Sequence, residues 1–166
     1  MSVRQIRIMG DPVLREKAQP IPAVDEETRR LIRDMFDTMY DADGVGLAAP
    51  QVGVTQRVIV VDPHEQDAKP LGLVNPVVLK FSDDVERGEE GCLSIPGLKD
   101  IVERPAEVVV EALDGDGKPV HIEADGLLAR VLQHEIDHLD GILFIDRVSP
   151  LKRKLLLNRW QKVKPE

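Results

Sequence analysis

DGLLARVLQHEIDHLDG, residues 125–141, decides how the rest of the chain is read. Leu127, Leu128, Val131, Leu132, Ile136 and Leu139 share one arc when plotted at about 100° per residue, which predicts a helix from about Asp125 to Leu139 that stops at Gly141. His134, Glu135 and His138 fall within or at the edge of that arc, whereas Arg130, Gln133, Asp137 and Asp140 lie opposite and are expected to meet solvent. Two imidazoles and a carboxylate are thus turned toward the interior, where polar groups without partners are costly. Histidines four apart project from one helix face, close enough to hold one metal ion, and the intervening Glu can take a proton from a water that the ion polarises. Core histidines satisfied by backbone carbonyls are the alternative. A metal satisfies all three groups at once.

The flanking sequence supplies the frame. Asp25 to Tyr40 reads as a helix, with acids in its first turn and Leu31, Ile32, Met35, Phe36, Met39 and Tyr40 as its apolar stripe. After Asp43-Gly44 come short β-rich segments at Arg57–Val61, Leu73–Phe81, Ile101–Val102, Glu107–Leu113 and Val120–Ile122, with Asp114–Gly117 as a turn. Ser149-Pro150 opens a last helix, a good N-cap followed by proline at the first helical position. Helix, strands, helix, helix is the order of an α+β fold with mainly antiparallel strands around the HExxH helix. Residues 1–166 contain no repeat and no convincing linker, and are expected to form one domain.

Composition narrows the function classes. With 42% apolar residues in 166 the chain can bury a core, so wholesale disorder is excluded. Apolar runs fall far short of the roughly 20 residues of a membrane span, and the N-terminal MSVRQIRIMGDP has no signal-like core. A lone cysteine, Cys92, excludes an internal disulfide framework and fits a reducing compartment, so a cytoplasmic protein is expected. From Arg147 onward there are seven Lys/Arg and one Glu, a local +6; set against −8 for the whole chain, that leaves −14 on residues 1–146. The acidic body argues against DNA, and only the basic helix of about residues 149–164 is suited to a polyanion.

A metal on His134 and His138 needs a third protein ligand. Phe144 stands where the long metzincin pattern has its third histidine, and no Glu follows until Glu166, so the His₂Glu arrangement of thermolysin-like enzymes also fails. Cys92, in Glu90-Gly91-Cys92-Leu93-Ser94, remains as the upstream candidate; otherwise it is a small buried hydrophobe.

GVGLAAPQ (Gly44 to Gln51), EGCLS (Glu90 to Ser94) and QHEIDHLDG (Gln133 to Gly141) together resemble the three motifs of the peptide deformylase family, in order and at suitable separations. The opening Ile8–Leu14 and the Ser149–Lys152 helix start extend the likeness over nearly the whole chain, in the manner of the shorter bacterial forms. The resemblance implies removal of the formyl group from N-formylmethionyl nascent peptides, with release of formate. It implies Cys92, His134 and His138 as metal ligands and Glu135 as general base and then general acid. Gln51 and the Leu93 backbone N–H would stabilise the oxyanion, with Val45, Gly46 and Gly91 offering backbone hydrogen bonds to an extended substrate. Lys99 stands where many relatives have Arg, and Lys cannot copy a bidentate contact. Arg130 stands where many have an apolar residue near the methionine pocket; the helix wheel puts it on the solvated face.

Ligand spacing does not name the metal, since a Cys/His₂ site suits Zn²⁺ and also accepts Fe²⁺, Co²⁺ or Ni²⁺. The resemblance implies Fe²⁺. Two other readings stay open on the residues alone: a metallopeptidase with the same water activation, and a structural metal site, for which His64 or His121 would have to supply a fourth ligand. The basic last helix is the expected contact with the ribosome near the exit of the nascent chain.

Overall fold

The computed structural model describes residues 2–66 and 68–165. Helix α1 (Glu26–Asp41) is followed by strands β1 (Gly46–Ala48), β2 (Val58–Val61), β3 (Leu71–Phe81), β4 (Val85–Cys92), β5 (Ile95–Pro105), β6 (Val108–Leu113) and β7 (Pro119–Ala124), then by α2 (Gly126–Leu139) and α3 (Pro150–Val163). Five strands form an antiparallel sheet in the order β1–β2–β3–β6–β7, and β4 and β5 form a separate hairpin. The fold is α+β.

Strand β2 shows why the two long helices sit where they do. Its run Val58-Ile59-Val60-Val61 is fully buried, and alternate residues face opposite layers. Val58 and Val60 join Leu31, Ile32, Met35 and Met39 of α1, whereas Ile59 and Val61 join Val131, Leu132 and Ile136 of α2. The sheet is therefore covered by α1 on one face and α2 on the other. Helix α1 begins where Asp25 accepts the Thr28 backbone N–H at 2.9 Å, with Glu26 and Glu27 in the first turn favoured by the helix dipole.

The hairpin and α3 share a third cluster. Ile95, Leu98 and Val102 of β5 pack with Leu143, Phe144, Ile145 and with Leu156 and Trp160 of α3. Ser149 caps α3 through the Lys152 N–H, with Pro150 following as the sequence predicts. Leu151 and Leu155 stay exposed with the lysines, so α3 has two buried anchors rather than a clean apolar face.

Two expectations are corrected. The segment Ile101–Val102 is only part of the eleven-residue β5, and β4 and the short β1 join the strands read from sequence. Helix α2 has no broad solvated face. Gln133 and Asp137 are buried and Arg130 is largely covered; of the four residues placed there only Asp140 is exposed. The hairpin packs against that polar side and supplies its partners: Gln133 donates to the Pro105 carbonyl, and Arg104 pairs with Asp137 at 2.9 Å. Among the described residues no helix is long and apolar enough to cross a membrane.

Leu132, fully buried between α2 and the sheet, reports on this arrangement. Leu132→Ala is expected to cost about 2–5 kcal/mol, read from the urea midpoint at unchanged denaturant slope.

Candidate metal centre

Two different elements deliver the three candidate ligands. Strand β4 ends at Cys92, which pairs with Ile95 across the two-residue turn Leu93-Ser94. Helix α2 presents His134 and His138 one turn apart, their rings 5.0 Å between centroids. The Cys92 Sγ lies 3.4 Å from His138 Nε2, and one ligand atom from each of the three residues falls within 4.8 Å of the others. An ion with bonds of about 2.3 Å to sulfur and about 2.1 Å to nitrogen sets tetrahedral ligands roughly 3.6 Å apart, a spacing that the Cys92–His138 pair already has and that a donor set this compact suits. Glu135 Oε1 and His138 Nδ1 are buried with no hydrogen-bond partner among the described residues.

The imidazoles are driven apart electrostatically. Burial alone would depress His134, but Glu135, Cys92 and Glu90 outweigh it and hold the ring well above its ordinary value. Burial, helped by positive charge at His134 and Arg104, pushes His138 well below. Burial also raises the Glu135 carboxyl, and His134 only partly offsets it, so the group is pushed up to about 7.

The first motif closes over this point. Gln51 is 1% exposed: its side-chain oxygen accepts the Ala48 N–H at 2.9 Å, which turns its amide nitrogen toward Ser94 Oγ at 3.0 Å and Cys92 Sγ at 3.5 Å. A solvated Gln51 on a loose loop is thereby excluded. Gly46 lies so close to α2 that a Cβ there would stand 2.6 Å from Glu135 Oε2 and 2.8 Å from Val131. Val45, Gly46, Gln51, Gly91, Cys92, Leu93, His134 and Glu135 all line one cleft of about 650 Å³, with His138 sealed behind it. Lys99 stands exposed at the same cleft. His64 instead lies against the Gly44 carbonyl and His121 faces Glu111, so neither completes a four-ligand structural set.

The family model described as Polypeptide deformylase matches residues 3–154. The chain belongs to the polypeptide deformylase family. It is 49% identical to the peptide deformylase of Agrobacterium fabrum over 164 residues, covering 98% of this chain and 96% of that one. Identity to the Brucella suis peptide deformylase is 51% over 165 residues, covering 98% and 94%. Among solved structures, the Ehrlichia chaffeensis peptide deformylase in complex with actinonin superposes with a TM-score of 0.91 at 37% identity, covering 100% of both chains. The Legionella pneumophila peptide deformylase gives 0.88 at 47% identity, covering 99% of this chain and 100% of that one.

In this deformylase chain the candidate ligands rest on a layer of charged groups whose role the motifs do not reveal. Glu90 accepts His134 Nδ1 at 2.9 Å on one oxygen and is clamped by Arg104 through both, at 2.5 and 2.9 Å. Burial would raise the Glu90 carboxyl, but His134 and Arg104 bring it down to about 2. Glu90 thus fixes which nitrogen of His134 faces the centre, as metal-ligating histidines generally require. Glu90 stands inside EGCLS, two residues before Cys92, and that position was its only signal. Arg104 had none, because its neighbours carry no motif.

The raised Glu135 carboxyl has a stability consequence with a definite sign. The unfolded group loses its proton near 4.5 and the folded one near 7, so stability of the metal-free protein falls as pH rises through that window. Metal-free Glu135→Gln is expected to gain up to roughly 3 kcal/mol over the unsubstituted protein at pH 8 and close to nothing at pH 4, read by urea denaturation. Equal stability at both pH values contradicts a buried, high-pKa Glu135.

Proposed function

We infer that this chain is a metal-dependent peptide deformylase that hydrolyses the N-formyl group of N-terminal formylmethionine on nascent polypeptides and releases formate. Membership of the family carries the reading, and the convergence of Cys92, His134 and His138 beside Glu135 supplies its chemistry. Cys92, His134 and His138 would hold one divalent ion. When bound, that ion supplies Lewis-acid polarisation of a water and of the formyl carbonyl.

The remaining steps belong to the protein. Glu135, with a carboxyl near 7, takes the proton of the attacking water as oxygen bonds to the formyl carbon. The same carboxyl returns the proton to the methionine nitrogen as the carbon–nitrogen bond breaks, leaving formate and a free amine. Negative charge develops on the formyl oxygen beside the Gln51 amide and the Leu93 N–H. Preorganised donors of this kind are worth about 10²–10³ in rate each, and Gln51 is already fixed by Ala48 and Ser94. Backbone groups of Val45, Gly46 and Gly91 flank an extended peptide at the cleft as an added strand would.

Fe²⁺ is the ion proposed, with Zn²⁺, Ni²⁺ and Co²⁺ as substitutes that the thiolate–imidazole set also accepts. A ferrous thiolate site is oxygen-sensitive, since oxidation of Cys92 destroys the ligand. The enzyme is proposed to work as one domain in the bacterial cytoplasm, docked near the ribosomal exit through α3. Lys154, Arg159, Lys162 and Lys164 are exposed along that helix together with Leu151 and Leu155, which supports the docking.

In protein prepared without oxygen, Glu135→Gln is expected to lower formate release from a formyl-Met peptide by about 10²–10⁴ while metal content stays near that of the unsubstituted protein. Cys92→Ala is expected to lose the metal first. Acetyl-Met peptides are expected to turn over far more slowly than formyl-Met ones, because an extra methyl crowds the acyl site; equal turnover would point to a general amidohydrolase.

Docking calls for charge reversal rather than truncation after Ser149, which would strip Leu156 and Trp160 from the third cluster. Lys154→Glu, Lys162→Glu and Lys164→Glu together are expected to abolish salt-sensitive co-sedimentation with ribosomes and to leave turnover of a short formyl-Met peptide unchanged. Undiminished co-sedimentation rules out α3 as the dock.

A further inference from the structure

Arg130 takes no part in the chemistry above, yet it is held more tightly than a wall residue needs to be. It lies one turn before His134 on α2, with 12% of its side chain exposed, at the edge of the substrate cleft. Its guanidinium makes three bonds to the hairpin: to Glu90 Oε2 at 2.7 Å, to the Val102 carbonyl at 2.9 Å and to the Glu86 carbonyl at 2.9 Å. Glu86 and Glu90 belong to β4 and Val102 to β5, so one side chain of α2 grips both strands.

Gly88 is a second, independent observation. A Cβ on it would stand 2.9 Å from both Cζ and Nε of Arg130, so the guanidinium fills the space that any other residue would need. Gly88 pairs with Val102 in the hairpin and is itself none of the candidate ligands. The far end of an arginine usually swings aside cheaply, but here it would forfeit three hydrogen bonds.

The ligands make this grip consequential. Cys92 arrives on the hairpin, while His134 and His138 arrive on α2. The Arg104–Glu90 pair is internal to the hairpin and does not by itself fix one element against the other. Arg130–Glu90, His134–Glu90 and Arg104–Asp137 are three ionic links that cross the gap near the centre, beside the Cys92–His138 contact itself.

We propose that Arg130 is a positioning residue of the metal centre, which acts through Glu90 and, seated on Gly88, sets the distance between the Cys92 hairpin and the histidine helix. This rests on the metal-ligand reading given above.

The test uses Co²⁺ loaded into the full-length protein. The thiolate-to-Co²⁺ absorption band reports the Cys92 geometry, and release to excess EDTA, well below the unfolding temperature, reports how firmly the ion is held. Arg130→Met keeps the length of the side chain but none of its donors; it is expected to shift or weaken the band and to speed release by about tenfold or more, the range seen when outer-shell partners are removed. Arg130→Lys reaches Glu90 but not both carbonyls, and is expected to retain the band with an intermediate release rate. Gly88→Ala, whose added Cβ meets the Arg130 guanidinium first, is expected to reproduce the Arg130→Met spectrum, and the double variant to release Co²⁺ no faster than Arg130→Met alone, within about twofold.

A merely structural Arg130 would lower the melting temperature and leave band and release rate as they were. That result, or a Gly88→Ala effect that multiplies with Arg130→Met, overturns the proposal. If Arg130→Met does not fold, Gly88→Ala and Arg130→Lys carry the same comparison. Should the unsubstituted protein bind Co²⁺ without a thiolate band, the Cys92 assignment itself fails and the inference falls with it, which separates the two.

Discussion

The Glu90 carboxylate is buried and negatively charged, so its compensation falls to protein groups. Its two oxygens are met by Arg104, Arg130 and His134. Such a cluster is a poor source of net stability, since desolvation consumes most of the Coulomb gain and well-packed apolar residues often do as well. Removing one member is another matter: an uncompensated buried charge typically costs about 3–5 kcal/mol. The asymmetry gives the cluster its use here. Few other relative placements of the hairpin and α2 satisfy Glu90, Arg104 and Asp137 together, so the polar interior selects the one in which Cys92 Sγ comes within 3.4 Å of His138 Nε2. Apolar packing, with its many near-equivalent solutions, has less power to fix the placement of three side chains from two elements.

A second constraint acts from the opposite side. The role proposed for Glu135 asks it to be both buried and reachable, and Gly46 makes that compatible. Without a Cβ, β1 approaches α2 closely enough to cover the carboxylate while leaving its own backbone at the cleft. Apolar contacts in the two larger clusters press β1 and β2 onto the helices. The Glu135 carboxylate is thus covered at this point by main chain rather than by a side chain that would fill the cleft.

These two constraints divide what could be read from residues alone. The HEIDH spacing, the apolar run of β2 and the Ser149-Pro150 cap are local signals with one physical meaning, and the structure places each where that meaning requires. Strand β4 was illegible because Val85-Glu86-Arg87-Gly88-Glu89-Glu90-Gly91 shows no apolar alternation; its inward residues are an acid and a glycine that make sense only opposite Arg104 and Arg130. The polar side of α2 misled for the same reason. A helix wheel equates polar with solvated, and that equation fails when a charged hairpin provides the solvation instead of water. The residues that the three motifs bring to one cleft were accessible to sequence reasoning, and the groups that support them were not, because they are joined by pairings distant along the chain: Glu90 to Arg104, Arg104 to Asp137 and Glu90 to Arg130.

Within one buried site, then, two carboxylates are driven in opposite directions. Glu90 meets three donors, and its carboxyl is held down to about 2. Glu135 lies one residue beyond the imidazole that Glu90 orients, has one oxygen without a partner, and is pushed up to about 7. Burial raises both; the number of donors decides the outcome. The permanently charged group serves to orient His134, a task that would fail if it took up a proton and lost its pull on the ring. The proton transfer proposed for Glu135 asks instead for a carboxyl poised near neutrality, which forbids it a permanent cation. Arg104 and Arg130 satisfy both demands by their placement: they bond to Glu90 and make no hydrogen bond to Glu135. Separation of pKa values by unequal partnering is how neighbouring carboxyls generally come to divide structural and proton-transfer work.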